Sequence, residues 1–144
     1  MEKQKQLLKQ IYGFEFPESF FNFYEFTKKV PKATFQGLDS IMGMGDAFNV
    51  FSETKMEDFN PVKQSRYYND PPEFFTILRG YTDGLHWDYY LDDFNDLKNM
   101  YVVSYYSNDA FELNPVGNTI FEAFRQELEG IYASVPEGMK YNPN

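Results

Sequence analysis

The spacing of apolar positions changes along this chain, and each change predicts a different element. In "KQKQLLKQIY" (3–12), Leu7, Leu8 and Ile11 fall on one stripe among lysines and glutamines. That pattern predicts a short amphipathic helix, interrupted by Gly13. In "FEFPESFFNFYEFTKKV" (14–30), Phe20, Phe23, Tyr24 and Thr27 share one face, and Phe16 is placed to pack back on it. Pro17 suits the first turn, Glu18 the positive end, and Lys28 and Lys29 the negative end. Phe21 and Phe26 lie off that face, so this second helix is expected to be covered on more than one side. Pro31 ends it.

Residues 31–46 read as a loop with weak helical or turn content, "AFNVFS" (47–52) as a strand, and 53–65 as a polar connection. Alternating β-branched and aromatic runs follow in "EFFTILRG" (73–80), "LHWDYYLD" (85–92) and "MYVVSYYS" (100–107). The "YTDG" between the first two signals a hairpin, because Asp-Gly accepts positive φ. "AFELNP" (110–115) predicts a short last strand closed by Pro115. Helical spacing resumes over 117–135, with Ile120, Phe121, Phe124, Leu128 and Ile131 along one side. Asn118 or Thr119 can cap that helix, with Glu122 three residues after Thr119. The tail, 135–144, is polar and unpatterned and is expected to be loose. The predicted fold class is α+β: an antiparallel sheet of about four to six strands, with two N-terminal helices and one C-terminal helix packed on it.

Length and composition narrow the picture. A chain of 144 residues fits a single domain, 1–144. The absence of cysteine excludes disulfides and thiolate metal sites. The charged start carries no secretory pattern, and no stretch approaches the ~18 consecutive apolar residues of a membrane span. A cytoplasmic address is therefore expected. Thirteen Lys and Arg against 22 Asp and Glu leave a net charge of −9. Such a surface repels phosphate backbones, which argues against nucleic acid and in favour of a basic protein partner. Sixteen Phe and 12 Tyr are too many for a disordered chain and must build a core or an interface.

Chemistry concentrates in residues 67–93, which hold the only His and the only Trp. Strand alternation assigns Leu85, Trp87, Tyr89 and Leu91 to the core. It sets His86, Asp88, Tyr90 and Asp92 about 7 Å apart along the other face, which is expected to be exposed. Pro71-Pro72 fixes an extended kink before a strand and forces Asp70 out of helical geometry, so that Tyr67, Tyr68 and Asp70 can line a groove at the sheet edge. A metal site would pair His86 with Asp88 or Asp92, but same-face neighbours on a strand splay apart and no established ligand spacing is present. An acid–base pair of His86 and Asp88 would need a pocket to tune it. Gly-x-Ser-x-Gly, P-loop and Cys-nucleophile motifs are all missing. No catalytic residue, metal or cofactor is expected. Tyr67, Tyr68, Asp70, His86, Asp88, Tyr90 and Asp92 are instead the candidate partner-binding face, with aromatics as anchors and carboxylates as steering charges. The plainer alternative is a solvated sheet face propped by tyrosines.

The stretches "YGFEFPESFFNFYEF", "YYNDPPEFFTILRGYTDGLHWDYYLDD" and "VVSYYSNDAFELNPVGNTIFEAF" resemble the N-terminal domain of the histone poly-ADP-ribosylation factor family, including bacterial relatives labelled ADP-ribosylation family proteins. The most specific part is Tyr-Tyr-x-Asp-Pro-Pro-Glu-Phe, from Tyr67 to Phe74. That domain in turn looks like the SUKH superfamily of bacterial immunity proteins. The resemblance implies a SUKH-like, non-catalytic binding domain. Its leading reading is a bacterial immunity or antitoxin protein that covers the working surface of a basic toxin. The alternative it implies is an accessory module of an ADP-ribosylation system. In the eukaryotic factor the residues that complete a transferase site lie in a C-terminal helical domain, so the resemblance carries no catalytic residue to any position here.

Overall fold

The computed structural model describes residues 1–39, 41–52, 56, 58–109 and 112–140. Helix α1 spans Glu2–Tyr12 and buries Leu8 and Tyr12. It ends where Gly13 takes φ 83° and donates its N–H to the Lys9 carbonyl at 2.9 Å, a left-handed cap open to glycine without strain. Helix α2, Glu18–Lys29, follows an extended Pro17 at its N-cap and buries Phe20, Phe21, Phe23 and Thr27. Phe16 meets the Phe20 ring at 4.8 Å, so the expected staple forms. The expected cover on a second side is also present, because Phe21 is buried as well.

The segment after Pro31 differs from its reading as a loop. Helix α3 occupies Lys32–Asp39, and a two-residue strand β1, Gly43–Met44, pairs with the sheet. "AFNVFS" is not a strand: Asp46–Phe51 winds into a 3-10 helix, with the Phe48 N–H donating to Gly45 and the Ser52 N–H to Asn49. Its Ala47, Phe48 and Val50 are all buried, and Phe48 stacks on Phe20 at 4.2 Å. Apolar residues on both sides of so short a segment suit a tight turn sunk into the core better than a two-faced strand. Residues 53–55, in the predicted polar connection, lie outside the described residues. Asn60 then caps a single helical turn, α4 (Pro61–Gln64), by accepting from the Val62 N–H at 3.0 Å.

Strands β2 (Phe74–Arg79), β3 (Leu85–Tyr90), β4 (Tyr101–Tyr106) and β5 (Leu113–Gly117) complete a five-stranded antiparallel meander in the order β1-β2-β3-β4-β5. The β2–β3 hairpin closes as expected. Leu85 N–H donates to Thr82 at 2.8 Å, with Asp83 at φ 49° and Gly84 at φ 69°, the signature of a type I′ turn. The last strand runs later than predicted and passes through Pro115, which is tolerated because β5 is an edge. Positions 110 and 111 of that prediction lie outside the described residues. Helix α5, Ile120–Ser134, begins with a full capping box between Thr119 and Glu122. Its Phe121 and Phe124 rings meet Phe23 of α2 at 5.4 and 5.3 Å.

One face of the central strand β3 carries Leu85, Trp87 and Tyr89 into the main core, beside Leu8, Phe20, Phe75, Leu78 and Val102. The opposite face has a smaller apolar cluster of Phe74, Val103 and Tyr105, flanked by Tyr90 and Tyr101. Residues 65–73, between α4 and β2, form a strap over this second face.

Candidate functional site

The strap is organised from within. Pro71 and Pro72 supply no N–H, and the carbonyls around them are gathered by one guanidinium. Arg66 donates to Asp70 O at 3.0 Å, to Pro72 O at 3.2 Å and to Pro71 O. The Asp70 side chain turns back to accept from the Tyr67 N–H at 2.7 Å, while its own N–H donates to the Tyr67 carbonyl at 3.2 Å. Asn69 ties the tip to the sheet by donating to Ser107 O at 3.3 Å.

Beneath the strap lies the chain's one imidazole. His86 Nε2 is 3.2 Å from Asp70 Oδ1 and 3.2 Å from Asp88 Oδ2. The side chains of His86 and Asp88 have 0% exposure and that of Asp70 has 1%. Tyr67 stacks flat on the imidazole at 4.2 Å and 11°, and Tyr105 of β4 meets it edge-on at 5.7 Å. On the other side of the ring, Nδ1 donates to the Gly84 carbonyl at 2.7 Å, which fixes where one ring proton sits. Nε2 therefore faces two carboxylates at ion-pair distance, and neither contact closes into a full hydrogen bond.

Electrostatics follow from that enclosure. Burial pulls the His86 pKa down, but the side-chain contact with Asp70 and the charges of Asp88 and Asp70 outweigh it, so the imidazole holds its proton above its ordinary value. Burial pushes the Asp88 carboxyl up to about 7, against the opposing pull of His86, Thr76 and Arg66. Tyr67 is also raised, chiefly by burial.

The structure brings Tyr67, Asp70, His86 and Asp88 together, and it corrects the expectation that His86 and Asp88 line an exposed face. The reason is the strap, whose Pro-Pro kink and Arg66 clamp cover the strand's second side. The other three candidates stand apart. Tyr68 points outward at 100% exposure, Tyr90 stacks on Tyr101 at 5.1 Å, and Asp92 is exposed just beyond β3. Three participants were missed, Tyr105 at the imidazole edge among them. Thr76 sits opposite Asp88 in the β2–β3 register, which the alternation of β2 could have shown. Arg66 carries no sequence signal, because its partners are backbone carbonyls.

As built, the cluster can hold a proton and a charge but offers no entrance to a substrate. A surface groove of about 630 Å³ lies elsewhere, along α1. Four of its charged side chains are engaged with each other, Lys5 to Glu18 at 2.5 Å and Lys9 to Glu15 at 2.6 Å. Among the described residues, no group of three or more His, Cys, Asp or Glu is arranged to hold a metal ion.

Fold and site together define an α+β meander domain with helices on its main face and a sealed carboxylate–imidazole–carboxylate cluster on the other. The sequence profile of the histone PARylation factor 1 family matches residues 3–142, and the chain belongs to that family. It is 23% identical over 129 residues to histone PARylation factor 1 of Danio rerio, a match covering 85% of this chain and 37% of that relative's length. This overturns the SUKH immunity and antitoxin assignment, and nothing in it supports the expected bacterial origin. The family match runs over nearly the whole chain.

Proposed function

We propose that this chain is an accessory, non-catalytic module of an ADP-ribosylation system that acts by binding protein. The observation that carries this reading is membership of the histone PARylation factor 1 family over residues 3–142. Burial of the acid–base cluster supports it, since His86 and Asp88 are shut away from any substrate. The partner surface is drawn from exposed Tyr68 at the strap tip and exposed Asp92 and Asp93 after β3, with half-buried Tyr90 at the strand end. With a net charge of −9, the domain suits a basic partner or acceptor, and histones have that character.

The test is transfer of labelled ADP-ribose onto core histones by a poly-ADP-ribosyltransferase, with and without the purified chain. The rate or the choice of acceptor changes when the chain is added, and Asp92→Lys with Asp93→Lys weakens that change by slowing association. Unchanged transfer at saturating chain overturns the reading.

A further inference from the structure

We infer that the 65–73 strap is a proton-dependent latch. While a proton sits between Asp70 and Asp88, on His86 Nε2 or on the Asp88 carboxyl, the strap stays on the sheet, and when that proton leaves, the strap lifts as a unit and uncovers the second face of β2–β4. This goes beyond the accessory reading and does not rest on it.

Three observations carry the inference. The first is proton placement. With Nδ1 committed to the Gly84 carbonyl at 2.7 Å, an unprotonated Nε2 would direct a lone pair at two carboxylate oxygens, each 3.2 Å away. With both carboxylates ionised that arrangement is repulsive inside a site that water does not reach, so the closed geometry requires a proton between them, on Nε2 or on the facing Asp88 carboxyl. The second is that the two carboxylates come from different bodies: Asp88 belongs to β3, and Asp70 to the strap. Repulsion between them therefore acts along the line that separates strap from sheet. The third is that the strap is held together by its own contacts. Arg66 gathers the carbonyls of residues 70–72, and Tyr67 and Asp70 bond to each other, so none of these breaks when the strap lifts. Glu73, whose carbonyl accepts from the Leu91 N–H at 3.0 Å, is the hinge that stays on the sheet, and what breaks is the Asp70–His86 contact, the Tyr67 stack and the Asn69–Ser107 bond.

Every charged or titratable group around the imidazole fits this account. From β3 comes Asp88, and from the strap come Asp70, Tyr67 and Arg66, whose cation acts on Asp88. From β4 comes Tyr105 at the ring edge. Arg79 of β2 and its partner Asp46, 2.5 Å apart, act on Tyr67 from farther off as a neutralised pair. Raising the pH removes the Nε2 proton and ionises Asp88, and both changes push the strap outward. Lowering it restores the latch.

Amide hydrogen exchange on the full chain between pH 6 and pH 9, corrected for intrinsic rates, tests this. The probe is the Asn69 side-chain amide, whose bond to the Ser107 carbonyl spans strap and sheet and breaks when the strap lifts, with the Trp87 and Tyr89 amides of β3 as the reference. Strap protection is expected to fall at least tenfold across this range while β3 holds. Asp88→Asn should abolish the fall, because the amide can donate to a bare Nε2. Flat strap protection, or loss of β3 protection in step with the strap, overturns the latch. Should Asp88→Asn not fold, the nitrogen resonances of wild-type His86 decide the matter. Loss of the Nε2 proton in step with strap exchange supports the inference, and its loss without any strap response overturns it.

Discussion

Asp88 shows how one side chain can tie stability to pH. Its folded pKa of about 7 stands above the ordinary carboxyl value of 3.8. The folded state therefore binds a proton that the unfolded chain has released, and stability is lost as pH rises through about 7. His86 acts in the same direction, because its pKa is also raised and its contribution is lost as pH climbs above the ordinary imidazole range. The melting temperature is expected to be higher at pH 5 than at pH 8. Asp88→Asn removes the buried carboxylate and narrows that gap, stabilising the protein at pH 8 by on the order of 2 kcal/mol. Thermal melts of both proteins at the two pH values check this, and equal gaps would sink it. At this scale the sequence was half legible. Alternation put His86 and Asp88 side by side on one face of β3, yet it could not show Asp70 arriving from 16 positions earlier to close the cluster.

Elements were readable where one local pattern decides them. The Thr119–Glu122 capping box sets where α5 begins, and both of its bonds form. Thr119→Ala is expected to cost about 1 kcal/mol, read as a lowered midpoint in urea unfolding with an unchanged slope. An unaltered midpoint would mean that packing of Ile120 and Ala123 fixes the helix start without the cap. The hairpin was readable for the same reason, since Asp83-Gly84 matches the positive φ that a type I′ turn demands. Residues 46–51 show the opposite case. "AFNVF" has strand composition, but its place is set by Phe20 stacking on Phe48 and by the Gly45 N–H bonding to Ile77 at 2.8 Å. Those contacts come from distant parts of the chain and leave no local trace. The strap belongs with this group. Its Pro-Pro pair announced an extended kink, and only the fold reveals what the kink covers.

The whole molecule is a sheet with two unequal coats, helices on one side and nine residues of strap on the other. The thick coat sets overall stability, and the thin one is the part that a change in protonation can move. Because β3 is central and paired on both edges, it links the two coats without transmitting a shift of its own. This gives the chain a built-in optical reference. Trp87 is the only tryptophan, is 2% exposed, and stands between His86 and Asp88 in sequence but across the sheet from both in space. Its emission should be blue-shifted, as befits an indole in a dry core, and should hold its wavelength from pH 6 to pH 9. A red shift over that range would mean that the main core opens as well. A steady Trp87 signal would show that the main core around it holds while the strap side responds to pH.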